Sequence, residues 1–482
     1  MTPSCPRPFS AAASLSAAAL LAPALSAQYA IGSGQAAELY RMHCLVCHGA
    51  ELQGGIGSNL VDGVWRYAET DAELAKVLRE GLPDLNMPGY EDILSPEEIR
   101  SLVIYMREAE LLAEREREAA AQADDEGVIA SQAHAFRLEE VLSIEGIIWS
   151  ISFLPDGEML LAEKEGKLWH ARDGELTGTI KGIPEVTARG QGGLLEVAPH
   201  PDHAENGWIY LAFSDPARRG GQDVSMTKIV RGRIEGDRWS DEETIFEAPL
   251  DLYIDTSFHF GTRLVFQDGY LFFAIGDRGR QDEAQDLSRV NGKVHRIHDD
   301  GRVPADNPFV DREDAFPSIW TYGNRNIQGL DLHPTTGELW ATEHGPRGGD
   351  ELNLIEAGLN YGWPVITHGM NYDGTPITGI TEKEGMEQPV LHWTPSIAVC
   401  GIDFYEGDRF PAWEGDLFVT GLVTEQLRRL EIEDGKVVED EIVLRDHGRV
   451  RDVASGPDGY LYVSLTESDR RTGRLVRLLP VN

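Results

Sequence analysis

The bulk properties of this 482-residue chain narrow the kinds of protein it can be. Its residues are 41% hydrophobic and 26% charged, which is typical of a globular protein and unlike a disordered chain. There are 81 acidic and 43 basic residues, a formal charge of −38 that argues against nucleic acid or an anionic membrane as a partner. Neutral small molecules, cations and basic redox proteins remain as possible partners.

The first residues resemble a secretory signal peptide. Residues 11–25 are rich in Ala, Leu and Ser, follow a segment whose only charge is Arg7, and end at small residues near Ser26 and Ala27. We therefore predict a signal peptide over residues 1–27 and a periplasmic mature protein. The apolar run is too short to span a bilayer and no later segment reaches the required length, so no membrane span is predicted.

The next element carries the spacing that attaches a c-type haem. Cys44-Leu45-Val46-Cys47-His48 supplies two thiols and an imidazole, with His48 as an iron ligand. Met87, before Pro88, is the candidate second iron ligand, although a Met in this position can also be only a core residue. A zinc site lacks a second ligand pair at the usual spacing, and a redox dithiol does not need His48. We predict a small all-α cytochrome c domain over residues 30–111.

Two helices and a linker complete this part of the chain. Asp71 to Glu80 has a helical composition, and Ser95-Pro96-Glu97-Glu98 is typical of a capping box at a helix start. From Arg107 onward Glu, Ala and Arg dominate, so a helix is expected to run into a solvated, charged linker at residues 112–134. Cys400 has no partner left and is expected to be a small buried hydrophobe.

After Phe136 one pattern recurs: an apolar strand, a turn with Pro, Asp or Gly, and a second apolar strand. Six copies occur, at residues 151–161, 194–213, 264–273, 330–341, 402–419 and 453–463. Each is expected to form a β-hairpin, and hairpins repeated along a chain are typical of a propeller. We predict an all-β six-bladed β-propeller with four-stranded antiparallel blades over residues 135–482; a β-sandwich or barrel is the alternative.

Polar motifs follow these hairpins in one order and resemble a known family. They include Gln191-Gly192-Gly193, His259-Phe260-Gly261, Gly276-Asp277-Arg278, Gly323-Asn324-Arg325-Asn326, Glu343-His344-Gly345-Pro346, Asn360-Tyr361-Gly362-Trp363 and Arg449-Val450-Arg451. Over residues 140–480 the chain is similar to the soluble quinoprotein aldose (glucose/sorbosone) dehydrogenases. That resemblance implies a six-bladed propeller that uses pyrroloquinoline quinone (PQQ) and calcium.

Several residues suit that chemistry. His259 is the candidate general base, because imidazole titrates near neutral pH, and Asp277 is its candidate orienting partner. The matching family positions imply that Gln191 and Arg325 line the cofactor and substrate. Two further sets are expected to anchor the carboxylates of the quinone: Arg449 and Arg451, which face one side of an extended strand, and Arg325 with Asn326. Alternatively, the arginines are solvated surface charges and the histidine is structural.

The resemblance also implies calcium sites. The family's quinone-side calcium uses two backbone carbonyls that correspond to Gly345 and Pro346, and a second, structural calcium corresponds to Glu351 and Tyr361. Glu351 could instead cap a turn. Two departures stand out: Val423 replaces a lysine that contacts the cofactor, and Phe258 replaces an acidic sugar contact found in some members.

Together these features predict an exported quinohaemoprotein. It would oxidise an aldose sugar or a related alcohol or aldehyde, with electrons leaving through haem c to an external cytochrome or quinone pool. Two alternatives stay open: a quinone-free propeller that binds a carbohydrate or protein, favoured by Val423, and a calcium-dependent hydrolase, which would need acidic or amide side chains converging on the metal.

Overall fold

A computed structural model describes residues 34–121, 127–467 and 471–481 of the chain. The predicted signal peptide lies outside them. The N-terminal part is helical, and both predicted helix starts are found: Ser95 and Glu98 exchange the two hydrogen bonds of a capping box, as do Thr70 and Glu73. Apolar side chains of these helices enclose one core with Cys44 at its edge. The helices are Gly34–His43, Leu45–His48, Asp71–Glu80 and Pro96–Ala121.

The rest of the described chain forms six antiparallel sheets, which are the blades of a propeller. Blades 1 to 3 consist of strands Ile148–Phe153, Met159–Glu163, Lys167–Arg172 and Glu175–Thr179; Leu194–Pro199, Ile209–Arg219, Gln222–Glu235 and Arg238–Phe246; and Leu264–Gln267, Tyr270–Ile275, Lys293–His298 and Ile319–Tyr322. Blades 4 and 5 consist of strands Ile327–Leu332, Leu339–Glu343, Asp350–Leu354 and Leu391–Trp393; and Val399–Phe404, Leu417–Gly421, Gln426–Glu433 and Lys436–Arg445.

Blade 6 joins the two ends of the propeller. Its strands Arg449–Ser455, Leu461–Thr466 and Thr472–Pro480 are followed in the sheet by Ala135–Glu145, and the short strand Ile129–Ala130 adds a fifth. Phe136 lies opposite Pro480 and Glu145 opposite Thr472, so the strand that precedes blade 1 closes the ring. The six-bladed prediction is confirmed, because every predicted hairpin falls on the first two strands of one blade.

The segment expected to be a solvated linker differs from that expectation. Helix Pro96–Ala121 continues well into it, and Arg115 is buried and forms an ion pair with Asp446 of the propeller. Arg115 therefore pairs across a protein surface instead of facing water, whereas Glu116 and Arg117 are exposed. None of the helices in residues 34–121, 127–467 and 471–481 is long and apolar enough to cross a membrane.

Candidate functional site

A cavity of about 780 Å³ opens at one end of the propeller, where loops from several blades meet. Its size is that of an ordinary small-molecule site. The structure brings many of the candidate residues together there: the cavity lining includes Gln191, Asn326, Gly345, Pro346, Val423, Arg449 and Arg451. Arg325 lines a smaller adjoining cavity, and His259 lies at the rim, where its backbone N–H donates to the side-chain oxygen of Gln191 at 2.7 Å.

His259 and Asp277 form a hydrogen-bonded pair. Nδ1 of His259 lies 2.6 Å from Oδ1 of Asp277, and because an ionised carboxylate only accepts, Nδ1 carries the hydrogen and Nε2 is left to accept a proton. His259 has a left-handed backbone, with φ of 52°, a strained conformation found most often at functional sites. A Cβ at Gly276 would collide with the backbone oxygen of His259, so only glycine lets the two loops approach this closely.

Asp277 is held by two further donors. The backbone N–H of Gly279 donates to Oδ1 at 2.7 Å, and the indole N–H of Trp363 donates to Oδ2 at 2.8 Å. Burial raises the pKa of Asp277, but the interactions with His259, the charge of Arg325 and the hydrogen bond from the Gly279 N–H together leave that pKa below its ordinary value. Burial and the charge of Arg325 lower the pKa of His259. The pair is therefore a neutral imidazole beside a carboxylate at neutral pH.

Arg449 and Arg451 both line the cavity, although a β-bulge interrupts the regular strand alternation from which their common face was predicted. Arg451 lies at a β-bulge in blade 6, and its guanidinium stacks 4.1 Å from the ring centroid of Trp149. The Nε groups of both Arg325 and Arg451 are buried without a hydrogen-bond partner. Buried arginine nitrogens without a hydrogen-bond partner also occur elsewhere in the described residues, but those of Arg325 and Arg451 belong to residues that line a cavity, where an anion would satisfy them. These residues fit a cofactor that carries carboxylates.

The two carbonyls expected to bind a calcium ion are adjacent and already accept hydrogen bonds. The Gly345 carbonyl accepts from Arg325 at 2.9 Å, and the Pro346 carbonyl accepts from Ser396 at 3.1 Å. Each carbonyl keeps a second lone pair for a ligand. Asp350 accepts from the Gly345 N–H at 2.8 Å, so it fixes this loop. The loop fits a cation that also draws oxygen ligands from a bound cofactor or from water.

The candidate site for the second calcium contains acidic side chains as well as backbone oxygens. Glu351, Tyr361 and buried Glu343 line a cavity of about 10 Å³, which has room for about one water molecule or one metal ion. Burial raises the pKa of Glu351 to about 8, and the neighbouring Glu343 adds to this rise. Oδ1 of the adjoining Asn353 is buried without a partner. In the described ranges no three His, Cys, Asp or Glu side chains converge as metal ligands, so a cation there would need backbone oxygens as well.

The haem motif is folded in a form that suits attachment. Cys44 and Cys47 are not joined in a disulfide, and Nδ1 of His48 lies 2.9 Å from the Ser58 carbonyl. Because that carbonyl can only accept, Nδ1 carries the hydrogen and Nε2 is the free iron-binding nitrogen. Met87 is half-buried and packs on the same core as Cys44. The residues fit a covalent haem with His48 and Met87 as its candidate ligands.

The structure adds residues that sequence reasoning did not assign. Trp363 donates to Asp277, and His344 lines the cavity, where burial and the charge of Arg325 lower its pKa well below the ordinary value. Both belong to motifs quoted above, but their partners are distant in sequence. Val423 lines the cavity, and Phe258 is exposed beside His259 at the rim.

Two family models match the two parts of the chain. A family model described as Glucose / Sorbosone dehydrogenase matches residues 146–477, and one described as Cytochrome C oxidase, cbb3-type, subunit III matches residues 34–106. The chain is 42% identical over 342 residues to Aldose sugar dehydrogenase YliI of Escherichia coli, which covers 69% of this chain and 90% of that protein.

Two further relatives extend the comparison. Quinoprotein glucose dehydrogenase B of Acinetobacter calcoaceticus is 27% identical over 399 residues, which covers 65% of this chain and 82% of that protein. The crystal structure of the soluble aldose sugar dehydrogenase of Escherichia coli, in its apo-form, matches with a TM-score of 0.68 at 39% identity and covers 72% of this chain and all of that one. The chain therefore belongs to the glucose/sorbosone dehydrogenase family and carries an N-terminal cytochrome c domain of the cbb3-type subunit III class.

Proposed function

We propose that this protein is a periplasmic quinohaemoprotein. It oxidises an aldose sugar or a related alcohol or aldehyde, and the electrons leave through haem c to an external cytochrome or quinone pool. The family is that of sugar dehydrogenases, and one relative is named a quinoprotein. The N-terminal domain supplies an electron carrier on the same chain, which removes a diffusional encounter with the first acceptor.

The observation that carries this proposal is the pair His259–Asp277 at the rim of a cavity with orphaned arginine donors. When bound, PQQ supplies a hydride acceptor, and calcium supplies a Lewis acid held by Gly345 and Pro346. Nε2 of His259 accepts the substrate hydroxyl proton, and Asp277 stabilises the resulting imidazolium. Arg325, Arg449 and Arg451, with Asn326 and Gln191, hold the cofactor in place. Glu351 and Tyr361 hold the second, structural calcium.

A purified holocytochrome loaded with PQQ and calcium provides the test. We expect aldoses or alcohols from a substrate panel to reduce the haem absorption band, and His259→Ala to lose roughly 100-fold or more of that activity with an unchanged haem spectrum. Asp314→Asn, in an exposed loop, serves as a control that keeps activity. If the quinone binds but no substrate on the panel reduces the haem or a dye, the proposal is wrong.

A second candidate is a quinone-free propeller that binds a carbohydrate or protein, and Val423 in the cavity is the observation in its favour. The cavity nevertheless holds other cationic side chains, including Lys164 and Arg451, that a carboxylated cofactor could engage. Calorimetric titration of PQQ separates the two readings. Undetectable binding to the calcium-loaded protein, together with binding of a sugar, would favour the second candidate.

A further inference from the structure

The cytochrome c domain is docked on the propeller through one face of helix Pro96–Ala121. Arg100, Ile104 and Glu108 recur at every fourth residue, so they share that face. Arg100 donates to the carbonyls of Thr367, Thr378 and Gly379 at 3.0 to 3.1 Å. The contacts lie along one propeller surface, next to the cavity.

Glu108 and Arg347 form the central contact of this surface. Nε of Arg347 donates to Oε1 of Glu108 at 2.7 Å, and Nη2 donates to the other carboxylate oxygen. Glu108 has 0% and Arg347 4% of its surface exposed, so both charges are almost entirely removed from bulk water, although Arg347 also borders the cavity. A bidentate pair of this kind tolerates only one relative placement of its partners, and either charge left alone would be strongly unfavourable.

The same contact reaches the cavity directly. Arg347 follows Gly345 and Pro346, and Arg347, Gly348 and Tyr372 all line the cavity. A Cβ at Gly348 would lie 3.2 Å from Ile104, and φ there is +79°, so glycine permits the helix to approach. The cavity wall and the docking surface therefore share one loop.

On the other side of the ion pair, aromatic residues lead to the haem motif. Buried Tyr105 lies on the same helix as Glu108 and belongs to the same apolar core as Cys44. Its ring centroid is 5.5 Å from that of buried Tyr40. The backbone carbonyl of Tyr40 accepts from the N–H of Cys44 at 2.8 Å. One helix and two neighbouring aromatic rings therefore lie between the ion pair and a haem-attachment cysteine.

We propose that Glu108 and Arg347 are positioning residues that lock the cytochrome c domain onto the cavity rim, so that electrons cross from the cavity to the haem by way of Tyr105 and Tyr40 within one rigid unit. This inference rests on the proposed function. Oxidation of a CH–OH group releases two electrons and two protons; His259 takes the hydroxyl proton and passes it to solvent, and the second proton is released to solvent as the electrons leave for the haem. The haem iron takes one electron each time it passes from ferric to ferrous. Each turnover therefore sends two electrons across the interface, one after the other, and the external acceptor reoxidises the iron after each transfer.

The test compares Glu108→Ala with Glu116→Ala, a control on the exposed side of the same helix. We expect Glu108→Ala to speed hydrogen–deuterium exchange at residues 367–379 in the quinone-free holocytochrome. We also expect sugar-driven haem reduction to slow by about tenfold, because a smaller fraction of molecules is docked. Sugar-driven reduction of a small dye should stay within about twofold.

A second variant keeps the inference testable if Glu108→Ala folds poorly. Glu108→Leu combined with Arg347→Met removes both charges, and a buried pair replaced by apolar residues usually keeps its packing. We expect slow exchange at residues 367–379 to return in this double variant. The inference is overturned if the Glu108→Ala variant shows the same hydrogen–deuterium exchange rates and the same rate of sugar-driven haem reduction as the Glu116→Ala variant. If sugar reduces neither dye nor haem in the parent protein, the proposed function is wrong. The exchange data still show whether Glu108 and Arg347 hold the cytochrome c domain on the propeller.

Discussion

At the scale of single residues, the pairing of His259 with Asp277 determines how the proposed chemistry should respond to pH. A base acts only when unprotonated, so activity is present above the pKa of His259 and is lost as pH falls through it. Burial and Arg325 lower this pKa below its ordinary value of 6.5, whereas Asp277 raises it. The wild-type profile of kcat/KM should therefore rise with pH, with its midpoint below 6.5.

Replacing Asp277 by Asn tests this assignment. The change removes the charge that raises the pKa of His259, so the acidic limb should move to lower pH. The amide also cannot accept from all three donors that Asp277 serves, and kcat should fall roughly 100-fold. Steady-state dye reduction from pH 4 to 8 measures both effects. An acidic limb that moves to higher pH, or an unchanged kcat, contradicts the assignment.

Trp363 offers a finer test, because its indole N–H donates one hydrogen bond to Asp277. Trp363→Phe keeps a large aromatic ring but removes a hydrogen bond to a charged group, which should lower kcat by about tenfold. Trp340→Phe is the matched control: Trp340 is equally buried, but its indole N–H has no partner to lose. Equal loss in both variants would mean that packing, not the hydrogen bond, is responsible.

These residues also mark how far local sequence predicts the site. His259, Asp277 and the arginines could be named because each lies in a short motif with a recognisable residue pattern. Trp363 could not be assigned a role, since its partner Asp277 is 86 residues away and the contact depends on how two blades meet. The effect of Arg325 on His344 could not be predicted either, because the two residues lie on different segments of the chain.

At the scale of elements, predictability follows the separation of the strands that pair. The first two strands of each blade are neighbours in sequence, so alternating apolar runs around a turn indicate them. The closing strand Ala135–Glu145 instead pairs with Thr472–Pro480 at the far end of the chain, and no local pattern reveals that partner. The extension of helix Pro96–Ala121 was foreseen from composition, but its docked charges were not, because their partners lie on another domain.

The closing strand makes a stability prediction. Phe136 has 0% of its surface exposed and packs with Phe410 and Trp413 in the core beside blade 6. Phe136→Ala should lower the free energy of unfolding of the propeller by about 3–5 kcal/mol, because it leaves a cavity in that core. Val438→Ala, on an exposed position of blade 5, should change it little. Urea denaturation followed by tryptophan fluorescence measures the difference, and equal midpoints for the two variants would contradict this role.

At the scale of the whole molecule, two kinds of electrostatics act on electron transfer. The central contact between the domains is a buried ion pair, which salt screens little. The surface met by an external acceptor belongs to a chain with a formal charge of −38, and exposed charges are screened strongly. The two electron-transfer steps should therefore differ in their dependence on ionic strength.

Stopped-flow measurements at two ionic strengths test that difference. Reoxidation of the reduced haem by a basic cytochrome should slow on the order of tenfold between about 10 mM and about 150 mM salt, because screening shortens the range over which the acidic surface attracts a cationic partner. Sugar-driven haem reduction within the chain should be nearly unaffected over the same range. A neutral small-molecule oxidant provides the control, since its rate should not depend on salt. Salt-independent reoxidation by the basic cytochrome would rule out electrostatic attraction as the means of partner capture, and salt-sensitive internal transfer would indicate a cytochrome c domain that is not held in place.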